Sequence, residues 1–217
     1  MRWLGLAGML GAITLFAGDM LYYYSPDGGL SPAQTMATVS QTRLLAGGVS
    51  ALFAGWLYLL GAGQFYLALR PAGKAIALVA GACFAATMVS YAVAHAAYFS
   101  IAIGAGLAQE LHSSLPDATR LPWQYFELLI RITYAPIAVA TILFIYALLK
   151  GRSHYPRWIL PLFPTFPFLI EGLLLRPLEG TWLTILGGGF LNLIMLLFYA
   201  ASTIALWRGG EKAEPTS

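Results

Sequence analysis

Six runs of predominantly apolar residues dominate the chain and limit its fold more than any motif does. They cover residues 3–24, 44–69, 74–104, 122–150, 158–175 and 182–207. About 20 such residues cross the roughly 30 Å hydrocarbon core of a bilayer as a helix. In lipid a helix pairs all of its own backbone groups, so each run is expected as one. Charged residues make up only 10% of the 217, against roughly 25% in a soluble domain. No strand-period alternation competes. The expected fold class is therefore an all-α membrane protein, a six-transmembrane-helix bundle forming one domain over residues 1–208, followed by a short cytoplasmic tail at 209–217.

Basic residues concentrate in the cytoplasmic loops of membrane proteins. Arg2, Arg70, Lys74, Lys150, Arg152, Arg157, Arg208 and Lys212 fall on one side of the proposed topology, against Arg43, Arg120 and Arg176 on the other. Both termini are thus expected to be cytoplasmic. The net charge of +3 reads as this asymmetry, and no nucleic-acid partner is expected. The first run is long and lacks an A-x-A cleavage site, which points to a retained helix rather than a signal peptide. Cys83 is the single cysteine, so no internal disulfide can form.

Two features speak to packing. Gly5, Gly8 and Ala12 in the first run, with Gly47, Ala51 and Gly55 in the second, stand at helical spacing and let backbones approach where lipid supplies no hydrophobic drive. The fifth run carries Pro161, Pro164 and Pro167. Each removes a backbone donor and clashes with the preceding turn, so this helix is expected to be proline-kinked or broken. Broken helices mark binding sites in transporters. The joints at 25–43 and 105–121 are expected outside the cytoplasm, the first with a short helix from Pro32.

Against this apolar background stand Asp19, His95, Glu127, Arg131, Glu171 and Asn192. At 1.5 Å per residue they all fall in the outer half of the proposed membrane. Thr87, Tyr91, Ala94, His95 and Tyr98 share one helical stripe, as do Gln124, Glu127, Arg131 and Tyr134, and Gly188, Asn192, Met195 and Tyr199. An intramembrane charge costs about 2.5–3.5 kcal/mol on insertion scales, so these seams are expected to face one shared cavity. Fully ionised, three carboxylates and one arginine would leave it doubly negative. Protonation, water or a bound cation must relieve that.

Each relief implies a chemistry. Protonation makes Asp19, His95, Glu127 and Arg131 candidate catalytic residues, with Glu171, Asn192 and Tyr91 binding substrate. A divalent metal would take Asp19, His95 and Glu127 as ligands. Simpler roles exist for several of them: Glu127 and Arg131 stand at i, i+4 and suit an intrahelical pair, and Asn192 suits helix–helix hydrogen bonding.

The segments FAGDMLYYY around Asp19 and SYAVAHAAYF around His95, with the six-run layout, resemble an uncharacterised family of bacterial integral membrane proteins. That resemblance implies a multi-pass protein of the bacterial inner membrane and carries no assigned activity. A fainter similarity is to the CREST membrane hydrolases, which hold zinc with a Ser, an Asp and three His. Ser90, Asp19 and His95 are the only counterparts here, and the late-span HxxxH pair of that family is absent. Two functions follow as expectations. One is a lipid-modifying intramembrane enzyme, a hydrolase or isomerase; the other is a non-enzymatic binder or carrier of a proton, a cation or a small ligand.

Overall fold

The computed structural model describes residues 1–26 and 31–207. Residues 209–217, expected as a tail, lie outside the described residues. Helix α1 (Arg2–Tyr23) is followed by the short α2 (Pro32–Thr38). Ser31 starts α2 with a capping box: its hydroxyl accepts from the Gln34 amide while the Gln34 side chain accepts from the Ser31 amide. Then come α3 (Gln41–Leu69), α4 (Lys74–Glu110) and α5 (Leu115–Leu149). The joint between α4 and α5 is residues 111–114, much tighter than the loop expected at 105–121. Ser114 caps α5 through Asp117, and the helix runs straight through Pro122.

The expected fifth span is not one helix. A 3₁₀ segment (Arg157–Leu162) leads into α6 (Thr165–Leu169) and α7 (Glu171–Leu175), each of five residues. Prolines at intervals of three leave no stretch in which the i to i−4 ladder can run. The pieces nonetheless climb along α5. Arg157 reaches the Leu149 carbonyl, the Thr165 hydroxyl lies 2.7 Å from that of Thr141, and Phe168 packs on Tyr134. The last expected run is interrupted as well. A single turn, α8 (Gly180–Trp182), passes into a π-helical turn (Leu183–Gly187) before α9 (Phe190–Trp207) begins.

Five helices, α1, α3, α4, α5 and α9, are long and apolar enough to cross a membrane. Large apolar side chains point outward around them, including Leu52, Phe53, Trp56, Ile142 and Ile204, all at least half exposed. Such a continuous apolar exterior is what a lipid-facing surface requires and a water-facing one avoids. The interior is built from small residues and rings. Phe65, Phe84, Phe144, Phe163 and Phe198 interlock, with Phe163 plugging the broken segment into the core made by α3, α4, α5 and α9.

α1 packs antiparallel on α3, as the small residues suggest, and along its other side on α9. The register is set by glycine notches that receive side chains. A Cβ on Gly8 would lie 2.5–2.7 Å from the Tyr199 ring of α9, and one on Gly18 would collide with Ser50 of α3 and His95 of α4. The end of α1 is held from α3. Arg43 donates to the carbonyls of Met20 (2.8 Å), which also accepts from the Tyr24 amide, and of Tyr24 (2.6 Å), tying the last turn of α1 to α3.

Candidate functional site

Asp19 sits one turn before the end of α1 and is 5% exposed. Three helices converge on it. From α4, His95 places Nδ1 2.9 Å from Asp19 Oδ1. From α9, the Asn192 side-chain amide donates to Asp19 Oδ2 at 2.7 Å. From α3, the Tyr58 hydroxyl donates to the Asn192 side-chain carbonyl at 2.9 Å, which leaves the amide nitrogen to face the carboxylate. The π-helical turn and the glycines after it bring the start of α9 to this level. The Tyr23 hydroxyl donates to the Gly188 carbonyl there.

The far side of the imidazole decides the proton count. His95 Nε2 lies 3.0 Å from the Gly47 carbonyl of α3, which can only accept. Nε2 must therefore carry hydrogen, and the contact between Nδ1 and Asp19 needs a hydrogen of its own. The pair thus holds one proton more than a carboxylate beside a neutral imidazole, and its net charge is zero. A buried, hydrogen-bonded pair of zero net charge avoids the penalty that an isolated buried charge would carry.

A small cavity of about 60 Å³ opens beside this cluster, lined by Asp19, His95, Asn192, Tyr91, Tyr98 and Phe126 among others. It adjoins two larger spaces. A vestibule of about 440 Å³ shares Tyr98, Gly188 and Leu191 with it and adds Tyr23, Phe168 and Glu171. A groove of about 360 Å³ between α4, α5 and α6 shares Tyr91 and is walled almost wholly by apolar groups, among them Ile137, Ala138 and Leu169.

The structure thus brings together Asp19, His95, Asn192 and Tyr91, and sets Glu171 in the adjoining vestibule. Glu127 and Arg131 are not part of this cluster. They pair with each other at 3.1 Å on the outer face of α5, with side chains 58% and 72% exposed. The reason is helical phase: α5 turns Phe126 and Ile130 into the cavity, so their neighbours in sequence point away. Of the stripe Gln124, Glu127, Arg131 and Tyr134, the first three face outward, while Tyr134 packs on Phe168 and lines the groove. The expected metal set of Asp19, His95 and Glu127 is not assembled for the same reason. Among the described residues no three of His, Cys, Asp and Glu converge as metal ligands.

Two members of the site escaped the sequence reading. Tyr58 carried a usable signal, a bulky hydroxyl on the small-residue face of α3 between Ala54 and Gly61. Ser50 carried none. Its Oγ lies 3.5 Å from His95 Nε2 while its hydroxyl donates to the Gly47 carbonyl at 2.6 Å.

One family model, described as "Family of unknown function (DUF6796)", matches residues 1–208. The chain belongs to DUF6796. The match covers all five of the long apolar helices and every residue of the cluster around Asp19. No curated protein and no solved structure matches the chain. For DUF6796, the geometry of the site therefore carries the functional argument.

Proposed function

We propose that this is a multi-pass membrane protein that binds an amphipathic, lipid-like molecule. The polar end sits in the cup formed by Asp19, His95 and Asn192, and the apolar part lies in the groove between α4, α5 and α6. The observation that carries this reading is the adjacency of the spaces. One tyrosine, Tyr91, lines both the polar cavity and the apolar groove. Sites for small molecules combine mostly apolar walls with a few placed polar groups, and this one separates the two by position.

In this reading the broken segment is a sixth crossing, and the groove beside it is the way in from the bilayer. Arg2 stacks over Trp207, so the start of α1 and the end of α9 are neighbours. Arg70, Lys74, Lys150 and Arg157 stand at the same end, and the charge rule supports a cytoplasmic side there, with the cup toward the outer face of a plasma membrane. The test is mass spectrometry of molecules extracted from protein purified in a mild detergent. Wild type is expected to retain a stoichiometric amphipath, and Asn192→Leu, which removes a polar wall of the cup, to lose it. Equal occupancy in both overturns the reading.

A second reading rests on Ser50. Asp19, His95 and Ser50 stand in the order of a hydrolase triad. For that chemistry Nε2 would first have to give up its hydrogen and the Ser50 hydroxyl turn to it from the Gly47 carbonyl. The imidazole then takes the hydroxyl proton as the oxygen attacks an ester carbonyl, and returns it to the departing alcohol. In that case Ser50 would react with a fluorophosphonate probe and Ser50→Ala would not. An unlabelled wild type excludes it.

A further inference from the structure

The charge and the walls of the cup and its vestibule are not neutral toward the chemistry of the head. Glu171 lines the vestibule and, among the described residues, has no ion-pair partner within 4 Å and accepts no side-chain hydrogen bond. No Lys or Arg is among the residues lining the cup or the vestibule. Rings share the remaining walls with aliphatic groups: Tyr91, Tyr98 and Phe126 at the cup beside Leu15 and Ile130, with Tyr23 and Phe168 farther out. With Asp19 and His95 together neutral, the adjoining spaces carry one uncompensated carboxylate, in a vestibule whose walls include the rings of Tyr23, Tyr98 and Phe168.

We infer that the polar end of the ligand is an ammonium group, so that the ligand is an amphipathic amine. This inference rests on the proposed binding site and names the class of molecule it takes. A cation over Tyr or Phe faces is attracted by the ring quadrupole, more strongly where water is excluded. The carboxylate supplies the matching charge. Each oxygen of Asp19 has one hydrogen-bond partner and therefore a lone pair left for an N–H of the head. A phosphate or carboxylate head meets the opposite situation, since the lining offers it no cation and sets Glu171 against it. A plain alcohol would leave the charge of Glu171 unanswered.

The experiment uses the full chain in phosphatidylcholine nanodiscs, with binding to empty discs subtracted. Radiolabelled decylamine is the probe, and decanol and decanoate are the competitors. Decylamine is expected to bind saturably, with unlabelled decylamine displacing it at least 10-fold more effectively than decanol and decanoate weakest of all. Glu171→Gln, at a half-buried position whose loss breaks no bond in the fold, is expected to weaken decylamine about 10-fold and leave decanol unchanged. If decanol competes as well as decylamine and Glu171→Gln changes nothing, the ammonium inference falls while the amphipath site stands. If neither radiolabelled decylamine nor, in a parallel titration, radiolabelled decanol shows saturable binding, the proposed site itself falls and takes the inference with it.

Discussion

The imidazole of His95 meets the carboxylate of Asp19 at 2.9 Å across the interface of α1 and α4, and offers its other nitrogen to a backbone carbonyl of α3. One ring thereby ties three helices together. Removing either partner leaves a buried group without its counterpart. Asp19→Ala is expected to cost about 3–5 kcal/mol, the scale for breaking one side of a buried pair. Asp19→Asn keeps an acceptor for Nδ1 and is expected to cost clearly less, with Asp19→Lys the worst of the three. Thermal unfolding in detergent measures this. Equal losses for Ala and Asn would mean that the hydrogen bond contributes nothing.

Tyr58 and Asn192 are expected to act as a unit. Tyr58→Phe leaves the Asn192 carbonyl unpaired, at about 1–3 kcal/mol. Once Asn192→Leu is present, the same change should cost almost nothing. A double-mutant cycle reads the coupling, expected to be about 1–3 kcal/mol and within the range for directly hydrogen-bonded neighbours. Simple additivity would show that the two residues do not act on each other.

Glu127 and Arg131 make the opposite case. That pair lies on the outer face of α5 and lines neither the cup nor the groove. Glu127→Gln and Arg131→Gln are therefore expected to leave amphipath occupancy untouched. Loss of bound ligand in either variant would return these residues to the site.

Gly8→Ala places a methyl group 2.5–2.7 Å from atoms of the Tyr199 ring, and is expected to destabilise by about 1–3 kcal/mol through overpacking. Tyr199→Leu in the same chain should recover part of the loss. Failure of the second change to help would mean that α1 shifts as a body instead.

Reporters test the topology. Tags before Arg2 and after Trp207 are expected on the cytoplasmic side, and a tag in the turn at residues 111–114 on the opposite side. Tags before Arg2 and after Trp207 that report different sides would contradict their adjacency.

How much of this could be read without coordinates depended on whether the signal was periodic or relational. The long helices follow from apolar length, and His95 with Tyr91 and Tyr98 follows from one stripe on α4. Asp19 was visible because it has no basic residue three or four positions away in its own helix, so its partner had to come from elsewhere. Periodicity alone, however, does not say which stripe of a helix faces inward. On α5 the polar stripe and the cavity-facing stripe of Phe126 and Ile130 differ by one residue, about 100° of rotation. Nothing in the sequence favours one over the other, because ring walls and lipid contacts are both apolar. Ser50 was invisible for a different reason: its place beside His95 depends on Gly18, two helices and many residues away.

The segmented stretch along α5 also has a consequence for how the chain is made. Pieces of five residues are far below the roughly 12–15 needed for a helix to persist alone, and backbone groups left unpaired in hydrocarbon cost several kcal/mol each. Released into lipid as it emerges from the ribosome, this stretch would find only half of its neighbours. Thr141 and Phe144 are already synthesised, but Phe198 and Ser202, which pack against Phe163 and bond to Tyr155, are not. If the stretch is the proposed sixth crossing, its insertion is expected to wait for the final helix, the two entering as one hairpin. A ribosome stalled before α9 would leave the stretch outside the bilayer and the groove unbuilt, so the capacity to bind appears only in the last moments of translation.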